Sequence, residues 1–212
     1  MSIVKLSNNG VKNATSFGSI SSLGSMVFIK KLTISSPVSS VQFVHGSGGV
    51  DFTSYKEYLF TFNNLHPNSN TEPDIAVNFS SDGGSNYNVT KTTTSFYARH
   101  AENNDFASML YLTSLDLAQS TSKQFLAPAL NTGNDSSLSG YMQLFNPSST
   151  TFAKHFIINT SIMQNYPAAW QSFFAGYCNT TSAIDAVSFI GGYNLSNDDN
   201  IDAGDICLYG IA

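Results

Sequence analysis

The chain has 212 residues, of which 42% are hydrophobic and 13% are aromatic, so it can bury a core and is not a disordered chain. Only 11% of the residues are charged and the net charge is −5, which argues against binding to nucleic acid. The first residues lack the apolar core and the cleavage site of a signal peptide. No apolar run reaches the roughly 20 residues of a membrane helix, so no membrane span is expected.

The first 25 residues differ in composition from the rest of the chain. They are rich in Ser, Asn and Gly, and their apolar residues are isolated rather than alternating as in a strand. We therefore expect 1–25 to be a docking arm that lies along its own domain or a neighbouring protein, followed by a β-sandwich domain over 26–212. The arm residues expected to make this contact are Ile3, Val4, Leu6, Val11, Phe17, Ile20 and Leu23.

Short strands separated by turn residues are predicted from residue 26 onwards. Alternation of apolar and polar residues over a few positions is the pattern of a half-buried strand. In the first strand, Met26, Phe28, Lys30, Leu32 and Ile34 are expected to share one face. The predicted strands are 26–34, 40–45, 57–62, 74–79, 88–98, 139–145, 154–162, 172–178 and 183–191, and 105–121 is predicted as strand and loop rather than helix.

The chain ends in "NIDAGDICLYGIA", a pattern that predicts a buried final strand. Ile206, Leu208 and Gly210 would face one way and the residues between them the other. The segment 202–204, Asp-Ala-Gly, has the composition of a turn and is predicted to be the hairpin connection into this strand. The closing strand is therefore expected to be part of a sheet.

About eight to ten strands joined by Gly, Asn, Ser and Pro turns are typical of an antiparallel sandwich or barrel. Strands and helices do not alternate, so a parallel sheet is not expected. The sequence predicts an all-β fold: an antiparallel jelly-roll-like β-sandwich with an extended N-terminal arm.

Residues that carry catalytic or metal chemistry are sparse in the sequence. The four histidines are scattered, and neither Cys178 nor Cys207 has a partner at the spacing of a metal or redox motif. We expect no catalytic residues, no metal site and no cofactor. Both cysteines are expected to be buried as small apolar side chains, and a disulfide between adjacent strands is the alternative.

One stretch, "YARHAENND" at 97–105, concentrates charge in an otherwise weakly charged chain. It is interpreted either as a solvated loop or as a ligand-facing loop that binds a sugar or offers an acid/base pair. The single tryptophan is expected in the core or an interface, with stacking on a sugar ring as the alternative. The residues of the ligand-facing hypothesis are Tyr97, Arg99, His100, Glu102 and Trp170.

Several motifs together resemble small β-rich virion structural proteins of tailed phages of marine bacteria. These motifs are "SIVKLSNNGVKNATSFGSISSLGSMVFI", "SSDGGSNYNVT", "LFNPSSTTFAKHF", "GYCNTTSAIDAVSF" and "NIDAGDICLYGI", and the resemblance extends over essentially the whole chain. They consist of turns and strand edges, so they indicate a fold and contribute no catalytic residues. The resemblance implies a capsid decoration or fibre-like protein that forms a homo-oligomer, with a trimer as the family's usual state.

The expected function is that of a non-enzymatic phage virion-surface protein. It would assemble in the host cytoplasm and attach through its arm to another virion protein, either the major capsid protein or a tail protein. Capsid decoration is preferred to a tail-fibre head because the chain has no shaft sequence. The alternatives are a carbohydrate-binding receptor protein that contacts a host-surface glycan and, less favoured, a glycan-degrading enzyme on a jelly-roll scaffold.

Overall fold

The computed structural model describes residues 26–68, 74–164, 166–192 and 200–212. The arm residues, from Ile3 to Leu23, lie outside these ranges. The described residues form twelve β-strands and no helix, which confirms the all-β prediction. In chain order the strands are β1 (Met26–Ile34), β2 (Ser40–Val44), β3 (Glu57–Pro67), β4 (Asp74–Ser80), β5 (Lys91–Ala101), β6 (Ala107–Tyr111), β7 (Gln124–Ala127), β8 (Leu138–Phe145), β9 (Lys154–Met163), β10 (Ala168–Cys178), β11 (Ala186–Gly192) and β12 (Ile201–Ile211).

The strands form two antiparallel sheets. An eight-stranded sheet has the order β1-β12-β3-β8-β9-β10-β5-β6, and a four-stranded sheet has the order β2-β11-β4-β7. Most strands match the predicted segments closely. The sequence did not predict β7, a strand of four residues that is buried at every position and therefore shows no alternation.

Aromatic side chains from both sheets meet in the core. Phe189 of the four-stranded sheet packs edge to face on Phe60 and Phe62 of the eight-stranded sheet, with ring centroids 5.3 and 5.2 Å apart. Phe43 joins the same cluster, and all four rings are buried. Each such pair contributes about 0.5–1.5 kcal/mol beyond its buried area, so this cluster joins the two sheets.

The closing strand is buried within a sheet, as the sequence predicts. β12 lies between β1 and β3, and Ile206 and Leu208 face Phe62 and Phe60 across the ladder. The predicted turn at 202–204 is wrong, because β12 already begins at Ile201 and crosses this segment with two register shifts. Such shifts insert extra residues into a strand and bend it without ending it.

Gly204 is required at this irregularity. Its φ is +116°, and a Cβ at this position would lie 2.6 Å from the backbone oxygen of Asn64 on β3. Only glycine accommodates both the positive φ and the close approach of the neighbouring strand.

A second irregularity changes the face of the first strand. The register of β1 against β12 shifts between Phe28 and Lys30. Leu32 and Lys30 pair with the inward Ile206 and Leu208, whereas Phe28 pairs with the outward Tyr209. The prediction that all five alternating residues of β1 share one face is therefore wrong, because a bulge reverses the alternation once.

The four-stranded sheet is buried on both sides at its centre. Every residue of β4 and β11 is buried. The side-chain amide of Asn78, on the side of β4 away from the core phenylalanines, donates to the backbone oxygens of Tyr87 and Thr121 at 2.6 and 3.1 Å. The loops 81–90 and 112–123 thus cover the outward side of these central strands.

Candidate functional site

Three of the residues in the ligand-facing hypothesis form one cluster on β5 and β10. The rings of Tyr97 and Trp170 stack with centroids 4.0 Å apart and an interplanar angle of 18°. The guanidinium carbon of Arg99 lies 5.3 Å from the Tyr97 ring centre, 5.5 Å from Trp170 and 4.8 Å from Phe106. A cation over aromatic faces at these distances is attracted by about 0.5–2 kcal/mol per ring. Arg99 is therefore held in a cage of three rings.

Hydrogen bonds fix the orientation of this aromatic cage. Arg99 Nε donates to Ser108 Oγ at 3.2 Å, and the indole Nε1 of Trp170 donates to Ser172 Oγ at 2.9 Å. Tyr97 and Trp170 are only 4% and 6% exposed. Because their faces are occupied by each other and by Arg99, neither ring offers a free face to a sugar.

The prediction of a loop at 97–105 is wrong for its first half, which belongs to strand β5. β5 continues to Ala101 because it pairs with β10 and with β6 on its two sides. His100 and Glu102 stand apart from the aromatic cage. His100 Nε2 lies 3.0 Å from Asn104 Oδ1, and the backbone amide of Glu102 donates to the oxygen of Pro167 at 2.9 Å.

A cleft of about 570 Å³ lies beside these two residues. A second depression, of about 290 Å³, shares part of its lining and includes Arg99 and Trp170. The two depressions bring together hydroxyl, imidazole, carboxylate and guanidinium groups, a combination that can hydrogen-bond a polar ligand. The polar residues that line the larger cleft are His100, Glu102, Ser137, Ser139 and Ser161.

The outward face of the eight-stranded sheet is rich in exposed apolar side chains. Met109 is 71% exposed and Phe96 is 41% exposed. The rings of Phe96 and Phe173, on neighbouring strands, stack at 4.7 Å with an interplanar angle of 10°. Strand alternation and register assign eight large exposed apolar residues to this face: Met26, Phe28, Phe96, Met109, Tyr111, Tyr141, Ile157 and Tyr177.

This outer aromatic face is almost free of charge. On the five strands β8, β9, β10, β5 and β6, no Asp, Glu, Lys or Arg side chain points outward. The charged residues near the opposite margin have partners: Lys31 Nζ lies 2.7 Å from Asp205 Oδ2, and Glu57 accepts a hydrogen bond from Gln143. Contiguous exposed apolar surface of this kind marks interaction sites on soluble proteins.

Two lysines and a cysteine form a buried row that was not predicted from the sequence. Lys91 and Lys154 face Cys178 from either side across the ladders of β5, β10 and β9, and all three are fully buried. Lys91 Nζ donates to Asn78 Oδ1 at 2.6 Å and to the oxygen of Val89 at 2.7 Å. Lys154 Nζ donates to the oxygen of Thr180 at 3.3 Å.

Burial changes the proton affinities of this row. It lowers the pKa of Lys91 to about 8, since the ammonium is removed from water. It raises the pKa of Cys178 to about 12, and the two lysines offset only part of this rise. The thiolate is the reactive form of cysteine, so the Cys178 thiol is protonated and inert near neutral pH.

The two cysteines are free and buried, as the favoured prediction had it. They do not form a disulfide, because Cys178 is on β10 and Cys207 is on β12, with three strands between them in the sheet order. Across the described ranges, no group of three or more His, Cys, Asp or Glu side chains is arranged to hold a metal ion. None of the described residues forms a helix with the length and apolar character to cross a membrane.

Comparison of the chain with protein-family models, with curated proteins and with solved structures found no match.

Proposed function

We propose that the protein is a non-enzymatic structural protein of a phage virion surface, assembled in the host cytoplasm. In this proposal it decorates the capsid as a homo-oligomer, with a trimer as the expected state. Residues 1–25 attach it to the major capsid protein or, in a tail-fibre head, to a tail protein. The sequence resemblance described above suggests this class of protein, and the strand order is the structural observation that supports it most strongly.

The strand order supports our interpretation of the fold as a jelly roll with two insertions. β1 pairs with β12, β2 with β11, β3 with β8 and β4 with β7, as in one long hairpin folded over on itself. The pairings of β12 with β3 and of β11 with β4 join these strands into two sheets. Jelly rolls are the double-sheet fold of viral capsid domains and also of lectins and cupins. The fold therefore favours a capsid or binding role without requiring catalysis.

Both insertions widen the same sheet. β5–β6 and β9–β10 extend the eight-stranded sheet beyond β8, while the four-stranded sheet has no added strand. Arg99, which the sequence suggested for ligand contact, is held in the aromatic cage, and the buried Lys91 donates to Asn78. These features favour an assembly role over an active site.

The docking role of the arm is tested by deleting residues 1–24. We expect the shortened protein to melt as wild type does in circular dichroism and to lose co-sedimentation with virions, because among the described residues the buried core begins at Ile34. A chain truncated after Gly204 is the comparison for folding, since it loses the buried Ile206 and Leu208 of β12 and should not fold. An arm deletion that co-sediments at the wild-type level contradicts the proposal.

The location on the particle is tested separately. Peptide mass spectrometry of separated heads and tails is expected to find the protein with the heads. Its presence only in tail fractions would replace capsid decoration by the tail-fibre head.

A second candidate function is recognition of a host-surface glycan. The observation that favours it is the cleft lined by Ser137, Ser139, Ser161, His100 and Glu102. Ser161→Trp should fill this cleft and abolish any glycan-array signal, while Phe152→Ser, in the loop between β8 and β9, should leave that signal unchanged. Absence of any wild-type signal on the array would reject this function.

A further inference from the structure

We infer that the outer aromatic face of the eight-stranded sheet is the interface between copies of this chain. The inference rests on the homo-oligomer of the proposed function and adds the surface that builds it. Phe96, Phe173, Met109, Tyr111 and Ile157 lie on four neighbouring strands and form the widest charge-free part of that face.

The size of the face matches a stable interface. Eight strands about 4.8 Å apart span roughly 34 Å, and eight residues of strand extend about 27 Å. The product is roughly 900 Å², close to the about 800 Å² that each partner buries in a standard specific complex.

The chemistry of the face favours a second copy over an unrelated charged partner. Aromatic residues and methionine are enriched at interface centres, where charged residues are depleted. Because the five strands from β8 to β6 present no Asp, Glu, Lys or Arg outward, this face meets a neighbouring copy without like-charge repulsion. The Lys31–Asp205 pair near the other margin is already neutral.

The surrounding structure supports the same occupant. The central strands of the four-stranded sheet are covered by the chain's own loops, through contacts such as Asn78 to Tyr87 and Thr121. None of the eight large apolar side chains on the outer aromatic face is buried by a described segment. Symmetric association of identical copies is the usual way in which soluble proteins bury such a face.

The inference is tested on the purified full-length chain, in the absence of virions. Sedimentation equilibrium is measured over a dilution series for wild type, Ile157→Glu, Met109→Glu and the control Phe152→Glu. Phe152 is 68% exposed in the loop between β8 and β9, so the control adds the same charge away from the face. We expect a wild-type oligomer and a rise of at least about 30-fold in the dissociation constant for both face variants, the effect of losing one interface hot spot.

Thermal melts of the variants show whether each is folded. Met109 lies on the edge strand β6 and is 71% exposed, so its substitution keeps the test valid even if Ile157→Glu does not fold. A monomeric wild type would overturn the inference and leave the face to another virion protein. If Met109→Glu is folded and its dissociation constant equals that of wild type, the interface lies elsewhere and the inference is wrong. Because no particle is present, either result is independent of the virion-binding experiment.

Discussion

The two sheets of the sandwich differ in what lies on their outward sides. The central strands β4 and β11 of the four-stranded sheet are buried throughout, and Asn78 connects them to the loops that cover them. The eight-stranded sheet instead exposes Phe96, Met109 and Tyr111 on its outward side. The outward side of the four-stranded sheet is thus covered by the chain's own loops, while the outward side of the eight-stranded sheet remains an exposed apolar surface suited to a partner.

This difference separates side chains that stabilise the fold from side chains that are available for association. Substitutions in the core or on the covered side should lower the free energy of unfolding of the single chain. Substitutions on the outer aromatic face should leave the fold intact and change association. The following predictions test this division, beginning with the largest expected effect.

The core is tested by Phe189→Ala. Phe189 contacts Phe43, Phe60 and Phe62 and is fully buried, so its removal leaves a cavity where the two sheets meet. We expect the free energy of unfolding to fall by about 3–5 kcal/mol in urea denaturation. The control Phe152→Ala removes an exposed ring of the same size and should stay within about 0.5 kcal/mol of wild type. Equal losses for the two variants would contradict the assignment of the core.

The covered side of the four-stranded sheet is tested by Asn78→Ala. This change removes the acceptor of the buried Lys91 ammonium and the donor to the oxygens of Tyr87 and Thr121. Lys91 keeps only the oxygen of Val89 as an acceptor. A hydrogen bond lost by a buried group costs about 1–3 kcal/mol, so we expect the free energy of unfolding to fall by about 3 kcal/mol in total. Asn159→Ala, on the exposed side of β9, is the control and should lose less than about 1 kcal/mol, since Asn159 makes a surface hydrogen bond to Gln171. A loss below that of the control would mean that the covering loops do not depend on Asn78.

The same buried contact predicts a pH dependence through Lys91. Between pH 8 and 9 the folded chain releases the Lys91 proton, because its pKa is lowered to about 8, whereas the unfolded chain retains it with a pKa of 10.5. The unfolded state then binds more protons, so the free energy of unfolding rises with pH. We expect wild type to gain about 1 kcal/mol relative to Lys91→Met from pH 8 to pH 9.

The pH range of this measurement is limited by Cys178. The thiol keeps its proton in the folded state up to a pKa of about 12 but loses it near pH 9 in the unfolded chain, so above pH 9 it lowers stability as pH rises. The exposed Lys56→Met is the control and should follow wild type. A constant difference between wild type and Lys91→Met over the whole range would show that Lys91 is not desolvated.

The sequence predicted the strands better than it predicted their arrangement. The alternation of apolar and polar residues correctly predicted β3 and β4 and which of their side chains face inward. One side of each strand carries aromatic or branched residues, and these pack in the core. It did not reveal the bulges in β1 and β12, which depend on the geometry of neighbouring strands rather than on composition. The positive φ of Gly204 follows from contact with Asn64 of another strand, so a turn was the wrong inference from the same residues.

The candidate sites were predictable only in part. Tyr97, Arg99 and Trp170 were named because of their chemistry, and the cluster that they form depends on the register between β5 and β10. The outer aromatic face was missed because Phe173 and Phe174 are both aromatic, so alternation does not separate an outward from an inward side. The one available indication was that β10 carries apolar residues on both sides, a pattern typical of a strand with both faces buried.

The central claim, that the outer aromatic face associates with its own copies, is tested most directly on the unmodified chain. Hydroxyl-radical footprinting at low and high protein concentration measures the oxidation of Met109, Tyr111 and Phe96 on the face and of Phe152 away from it. We expect oxidation of the three face residues to fall as concentration rises, while oxidation of Phe152 stays constant. Equal oxidation of the face residues at both concentrations, in samples whose mass shows an oligomer only at the higher one, would contradict the claim.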